Sequence, residues 1–186
     1  MIHDLLEGPE AREGLLASLV FEGMELLSTG AAPNFWRPPT DNDYGNEQPV
    51  RSRAWRDAST TRTLESFTET RDGSRVRLDA RFALPAVSAR YDLEYLVAPN
   101  GRIDVRGSLV PADDDVPELP RFGITWRMPR EFGSVTWYGR GPFDNYWDRA
   151  TGAALGRYAL DVAALWHSYA RVQESGNAPT CDGGPS

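Results

Sequence analysis

Side chains that could do chemistry gather in three polar clusters along the chain. The first is Asn34-Phe35-Trp36-Arg37-Pro38-Pro39-Thr40-Asp41-Asn42-Asp43-Tyr44-Gly45, and the second is Trp137-Tyr138-Gly139-Arg140-Gly141-Pro142-Phe143-Asp144-Asn145-Tyr146-Trp147-Asp148-Arg149. The third, Tyr169-Ala170-Arg171-Val172-Gln173-Glu174-Ser175-Gly176-Asn177, is polar and says little alone. Aromatic rings beside Asp, Asn and Arg are what sugar recognition uses, because rings stack on apolar sugar faces while planar polar groups hydrogen-bond hydroxyls. The same residues also suit structural work. Two prolines stiffen the first cluster, its acids favour self-capped turns, and Arg37 is expected to pair with Asp41, with Asp43 or with the second cluster. The second cluster could equally be an aromatic corner locked by an Arg–Asp pair. Asp41 does not open a calcium loop: the sixth position is Asn46 and the twelfth Ser52, where that template needs Gly and Glu. Gly139-x-Gly141 is too short for a phosphate loop and opens no helix.

Strands must position these clusters, since alternation with period two dominates the middle of the chain. Val76, Leu78, Ala80, Phe82 and Leu84 alternate with Arg75, Arg77, Asp79 and Arg81 after the turn signal Asp72-Gly73. Beyond Pro85 the pattern resumes over Val87–Val97, turns at Pro99-Asn100-Gly101, and continues through Ile103, Val105 and Leu109. Those three strands form a meander. A further strand is predicted over Thr61–Phe67, a hairpin across Glu22-Gly23 joining Leu15–Val20 to Met24–Leu27, and strands at Phe122–Met128 and Val135–Tyr138. Helical spacing is brief, about two turns at most around Arg51–Ala58 and Asp161–Trp166. Pro111–Pro120 reads as a solvated loop. The fold class expected is all-β, an antiparallel β-sandwich.

Composition excludes several function classes. The 186 residues carry a net charge of -7, and all 20 basic residues are arginines scattered among acids, so a nucleic-acid partner is not expected. No run approaches the roughly 18 apolar residues of a membrane span, and the first ten residues show no signal-peptide pattern, so neither a membrane nor secretion is expected and a cytoplasmic location is. One cysteine, Cys181, can form neither an intrachain disulfide nor a thiolate zinc site, and two histidines make a His-rich metal centre a poor expectation.

Taken together, the clusters carry a resemblance. Trp36-Arg37-Pro38-Pro39-Thr40-Asp41-Asn42-Asp43, Gly139 through Arg149, and Gln173-Glu174-Ser175-Gly176-Asn177, with Leu119-Pro120-Arg121-Phe122-Gly123 between, resemble the small-chain domain of family 2 β-galactosidases. Phe143-Asp144 departs from the usual Glu before Asn-Tyr, and Ser175 stands where Asn is common. The resemblance implies part of a supersandwich similar to galactose mutarotases, running over residues 1–177 with 178–186 as an unmatched tail. It implies a domain without catalytic residues, the two catalytic glutamates belonging to a barrel not found in this chain. The barrel, or a large subunit containing it, is then the expected partner and β-galactosides the substrates. No cofactor is expected in this chain, while enzymes of the family often use Mg and Na in their other domains. Candidate carbohydrate-binding or interdomain residues are Trp36, Arg37, Asp41, Asn42, Asp43, Asp144, Asn145, Tyr146, Asp148, Arg149, Glu174 and Asn177.

The alternative is a free-standing carbohydrate-binding or mutarotase-like module, for which His167 is the one acid–base candidate. The family would continue into a further strand where residues 178–186 resemble nothing in it, so a truncated domain is expected. Apolar strand faces deprived of their cover then predict self-association.

Overall fold

The structure is a computed structural model that describes residues 15–142, 151–166 and 168–171. Its regular structure is mostly antiparallel strands, and it divides into two compact units. One takes the chain up to Arg37 together with Glu47–Pro129; the other takes Pro38–Asn46 and the chain from Arg130 onward.

The first unit holds the hairpin strands β1 (Val20–Phe21) and β2 (Met24–Glu25), then β3 (Thr29–Asn34) and the single-turn helices α2 (Gln48–Arg51) and α3 (Trp55–Ala58). It continues with β4 (Thr63–Asp72), β5 (Arg75–Leu84), β6 (Ala89–Val97), β7 (Ile103–Pro111) and β8 (Gly123–Arg127). Strands β4-β5-β6-β7 form one antiparallel sheet in chain order, the meander expected from the alternation. Pro85 ends β5 as expected, in a 3-10 turn over Pro85–Val87, and Ser88 takes a left-handed conformation, φ 47°, to enter β6. At the next turn Gly101 has φ 84°, and Ala98 N–H donates to Arg102 O at 2.8 Å across the three residues between them.

Register sorts the two faces. Phe82 lies opposite Tyr91, Ala80 opposite Leu93 and Leu78 opposite Tyr95, all buried. The other face carries charge in matched pairs: Arg77 with Asp79 (2.9 Å) and Glu94 (2.6 Å), Arg81 and Arg90 with Asp92 (2.9 and 3.0 Å). The apolar face needs a cover, and β3, the segment after it and α3 supply one. Phe35 meets Trp55 at 5.5 Å between ring centroids and stands edge-on to Tyr91 at 5.4 Å. Trp55 is fully buried and donates its Nε1–H to Pro117 O at 2.8 Å. The loop over Pro111–Pro120 is therefore less solvated than its sequence suggests, for Val116 and Leu119 also pack on this core.

Elsewhere sequence and structure part. Strand β3, paired with β8, is absent from the sequence reading because Thr29-Gly30-Ala31-Ala32-Pro33-Asn34 contains the residues strands avoid. Pro33 is tolerated because, among the described residues, β3 has one partner strand, β8, and is an edge. The hairpin at Glu22-Gly23 is present, with both residues at positive φ (51° and 81°), but its strands are two residues each. Leu15 and Leu16 turn into the core instead of extending the strand. The Glu25 carboxylate takes over at that end, accepting from Leu19 N–H (2.9 Å), Leu27 N–H (3.0 Å) and the Ser18 hydroxyl. The helical stretch expected over Arg51–Ala58 resolves into α2 and α3, one turn each.

The second unit contains α1 (Asp41–Gly45) and two long strands, β9 (Ser134–Gly141) and β10 (Ala154–Asp161), paired from Gly141↔Ala154 to Ser134↔Asp161. β9 is longer than predicted, and β10 was not predicted at all. Its half-buried positions Gly156, Tyr158 and Leu160 alternate, but a glycine at the first of them hides the period. The helix expected over Asp161–Trp166 is a 3-10 turn, Val162–Leu165.

Two outcomes follow from this packing. A Cβ at Gly107 would lie 2.4 Å from the hydroxyl of Tyr91, whose ring is fully enclosed and whose burial pushes its phenol up to about 12. Gly107→Ala should cost about 1–3 kcal/mol in a denaturant melt. Gly123→Ala, in β8 with open space around the added carbon, should be neutral or slightly stabilising. The Ser18 hydroxyl and then the backbone donor Leu19 hold Glu25 below the ordinary glutamate range. A carboxyl lowered in the folded state stabilises above its unfolded value and loses that contribution as pH falls through the folded one. Stability should thus drop below about pH 4.3, and Glu25→Gln should flatten that part of the profile.

Candidate functional site

The first cluster begins where the core ends. Phe35 is fully buried, and the next residue, Trp36, is half-buried against the same core. Asn34 fixes the exit: its Oδ1 accepts from Trp36 N–H at 3.1 Å while its Nδ2 donates to Thr125 Oγ1 at 3.0 Å. Arg37 is half-buried and has an interaction partner.

In the second unit, Thr40 and Asp43 form a capping box around α1. Thr40 donates its N–H to Asp43 Oδ2 at 2.7 Å and its hydroxyl to the same oxygen at 2.9 Å. Asp43 is buried. Asn42 and Tyr44 face solvent. Asp41, the first helical residue, accepts from Arg171 Nη1 at 2.9 Å across 130 residues. Of the two acids expected for Arg37, Asp41 is thus held by Arg171, which raises that guanidinium's already high pKa through their hydrogen bond.

The described part of the second cluster is a scaffold. Trp137 and Tyr158 are cross-strand partners whose rings lie 5.5 Å apart. A Cβ at Gly141 would come within 3.0 Å of both rings, and one at Gly156 within 3.1 Å of Tyr158. Gly141 is there for close ring approach, not for a phosphate. Trp137 donates Nε1–H to Arg140 O at 3.0 Å, Arg140 donates to Ala153 O at 3.0 Å, and Tyr158 donates its hydroxyl to Ala154 O at 2.9 Å. Arg140 and the Gly141↔Ala154 pair thereby fix both ends of the connection between β9 and β10. That connection carries Asp144, Asn145, Tyr146, Asp148 and Arg149, which lie outside the described residues, as do His167, Glu174 and Asn177.

The structure therefore joins the first cluster to the described start of the third, at Arg171. Arg171 was not among the candidates from sequence, because an ion pair over that separation leaves no local spacing to read. Among the described residues, no group of three or more His, Cys, Asp or Glu is placed to hold a metal ion. Asp43→Ala removes the partner of both Thr40 donors and should lower stability by about 1 kcal/mol, whereas Asn42→Ala, exposed on the same helix, should leave the melting curve unchanged.

Comparison with known proteins bears on the same motifs. Residues 10–182 match the family described as Beta galactosidase small chain. The chain is 38% identical over 168 residues to a beta-galactosidase of Priestia megaterium (strain DSM 319 / IMG 1521), covering 90% of this chain and 16% of that protein. Its identity is 33% to a beta-galactosidase of Halalkalibacterium halodurans (strain ATCC BAA-125 / DSM 18197 / FERM 7344 / JCM 9153 / C-125), with 88% of this chain and 16% of the relative covered. It is 30% to that of Streptococcus thermophilus, with 89% and 16% covered. The chain spans about a sixth of the length of these relatives, and with a family match over residues 10–182 it belongs to the β-galactosidase small-chain family.

Proposed function

We propose that this chain is the non-catalytic small-chain part of a β-galactosidase, acting with a catalytic barrel carried elsewhere to hydrolyse terminal β-galactosides. The observation that carries the reading is the match of nine-tenths of this chain to only 16% of proteins named beta-galactosidase. The chemistry supports it. Retaining glycoside hydrolysis needs an acid and a nucleophile, two carboxyl groups about 5–5.5 Å apart across the bond. The acids of the first cluster are already committed, Asp43 to its helix cap and Asp41 to Arg171. In this reading the three motifs shape the rim of a sugar pocket or the contact with the barrel, and the strands belong to a larger supersandwich. With one cysteine and no intrachain disulfide to form, the same reading sets the protein in the cytoplasm.

The reading also accounts for apolar side chains left in solvent. Trp126 in β8 and Met128 just past its end are 38% and 52% exposed, and Phe122 just before it stays 52% exposed although its ring reaches Phe35 and Tyr91. Apolar side chains exposed in and beside one strand form a patch that a partner would cover.

The purified chain should give no turnover of a chromogenic β-galactoside. Turnover that disappears when an acid within the chain is changed would overturn the proposal. Alone, the chain should also self-associate through the β8 patch: light scattering should report a mass that rises with concentration, and Trp126→Lys should suppress the rise. A concentration-independent monomer would contradict that part.

A further inference from the structure

We propose that the hairpin of β1 and β2 is a docking finger: its tip, Phe21 and Met24 across the turn Glu22-Gly23, inserts into an apolar socket on the catalytic part of a β-galactosidase. The inference rests on the small-chain reading above and deepens it, adding a contact that lies outside the three motifs.

Three observations carry it. The tip is apolar where a solvated turn would be polar. Phe21 and Met24 are cross-strand partners, so their side chains lie on one face, and they are 62% and 56% exposed; Val20, on the opposite face, is 42% exposed. None of the three belongs to the core that the flanking residues join, for Leu27 is buried in it and Leu19 packs against it. The finger is also held firmly at its base, although a hairpin with two residues per strand is too short to be stable alone. Leu26 N–H donates to Leu19 O at 2.8 Å. Glu25 Oε1 accepts from the amides of Leu19 and Leu27, at 2.9 and 3.0 Å, while its Oε2 accepts from the Ser18 hydroxyl. Glu22 and Gly23 at positive φ give the turn that matches the twist of paired strands. An apolar tip presented rigidly loses little freedom when it is buried. Size then selects the occupant. The three side chains offer a few hundred Å², well short of the roughly 1,200 Å² that a stable pairwise interface buries, so contact between two tips could not hold two copies together. A tip of this kind works as an anchor within a larger interface. The matched relatives, of which this chain covers 16%, have that surface to offer.

The test titrates the full chain into a β-galactosidase lacking its own small-chain segment and reads the dissociation constant by calorimetry. Phe21→Ser and Met24→Ser should each weaken binding about tenfold, and Phe21→Leu should keep most of it. The melting temperature should hardly move in any of them, because these exposed side chains add little to the fold. Glu25→Gln leaves the tip intact but loosens its base. Hydrogen exchange at the Leu19 and Leu27 amides should then accelerate several-fold, and binding should weaken with it. Light scattering supplies a second arm: the concentration-dependent mass of the chain alone, assigned above to the β8 patch, should persist in Phe21→Ser. Unchanged binding in Phe21→Ser and Met24→Ser would overturn the finger and leave the small-chain reading standing. Suppressed self-association with unchanged binding would overturn it as well, by making a second copy the occupant. If the wild-type chain failed to bind the catalytic part at all, the finger and the small-chain reading would fall together.

Discussion

The inner face of the four-stranded sheet presents a column of large side chains from β5 and β6, and Phe35 closes over them. Its ring contacts Trp55, Tyr91 and Phe122, two of which are brought to it from distant parts of the chain. Rings at these separations and tilts bury large areas and add a directional preference of about 0.5–1.5 kcal/mol per pair beyond that burial. Phe35 is also the residue immediately before Trp36 and Arg37. The packing that completes the core therefore fixes the start of the first polar motif at Trp36 and Arg37. Core and site are joined by one peptide bond.

Glycines play the complementary part. Gly107 makes room beneath Tyr91, and Gly141 and Gly156 make room for Tyr158 beside Trp137. In each case an aromatic ring lies where a side chain would otherwise stand, so a strand's weakness as a glycine-bearing segment is offset by closer packing across it. This gives the second motif a physical meaning that its composition only hinted at. Gly141 and Trp137 build the base of a hairpin, and the polar residues of the motif follow in sequence between β9 and β10.

The meander and its faces were legible in the sequence because burial on one side of a sheet imposes period two, and Val76–Leu84 and Ala89–Val97 keep it without interruption. The turns at Gly73 and Gly101 were legible because positive φ selects glycine. β3 and β10 were not, for opposite local reasons: Pro33 and Gly30 disqualify one by propensity, and Gly156 erases the period of the other. Both are formed by their partners, β8 and β9, and pairing is a long-range fact. The site divides in the same way. Asp41, Asn42 and Asp43 announce a capped turn by their own side-chain chemistry. Arg171 announces nothing, because its partner lies 130 residues away.

The central claim is that this chain works only when docked to a catalytic part. The most direct measurement is a calorimetric titration of the purified chain against a β-galactosidase from which the small-chain segment has been removed, followed by titration with galactose. The account predicts saturable association with one copy of the chain per catalytic part, together with no detectable heat from galactose added to the chain alone. Failure to associate, with saturable binding of galactose by the isolated chain, would contradict it.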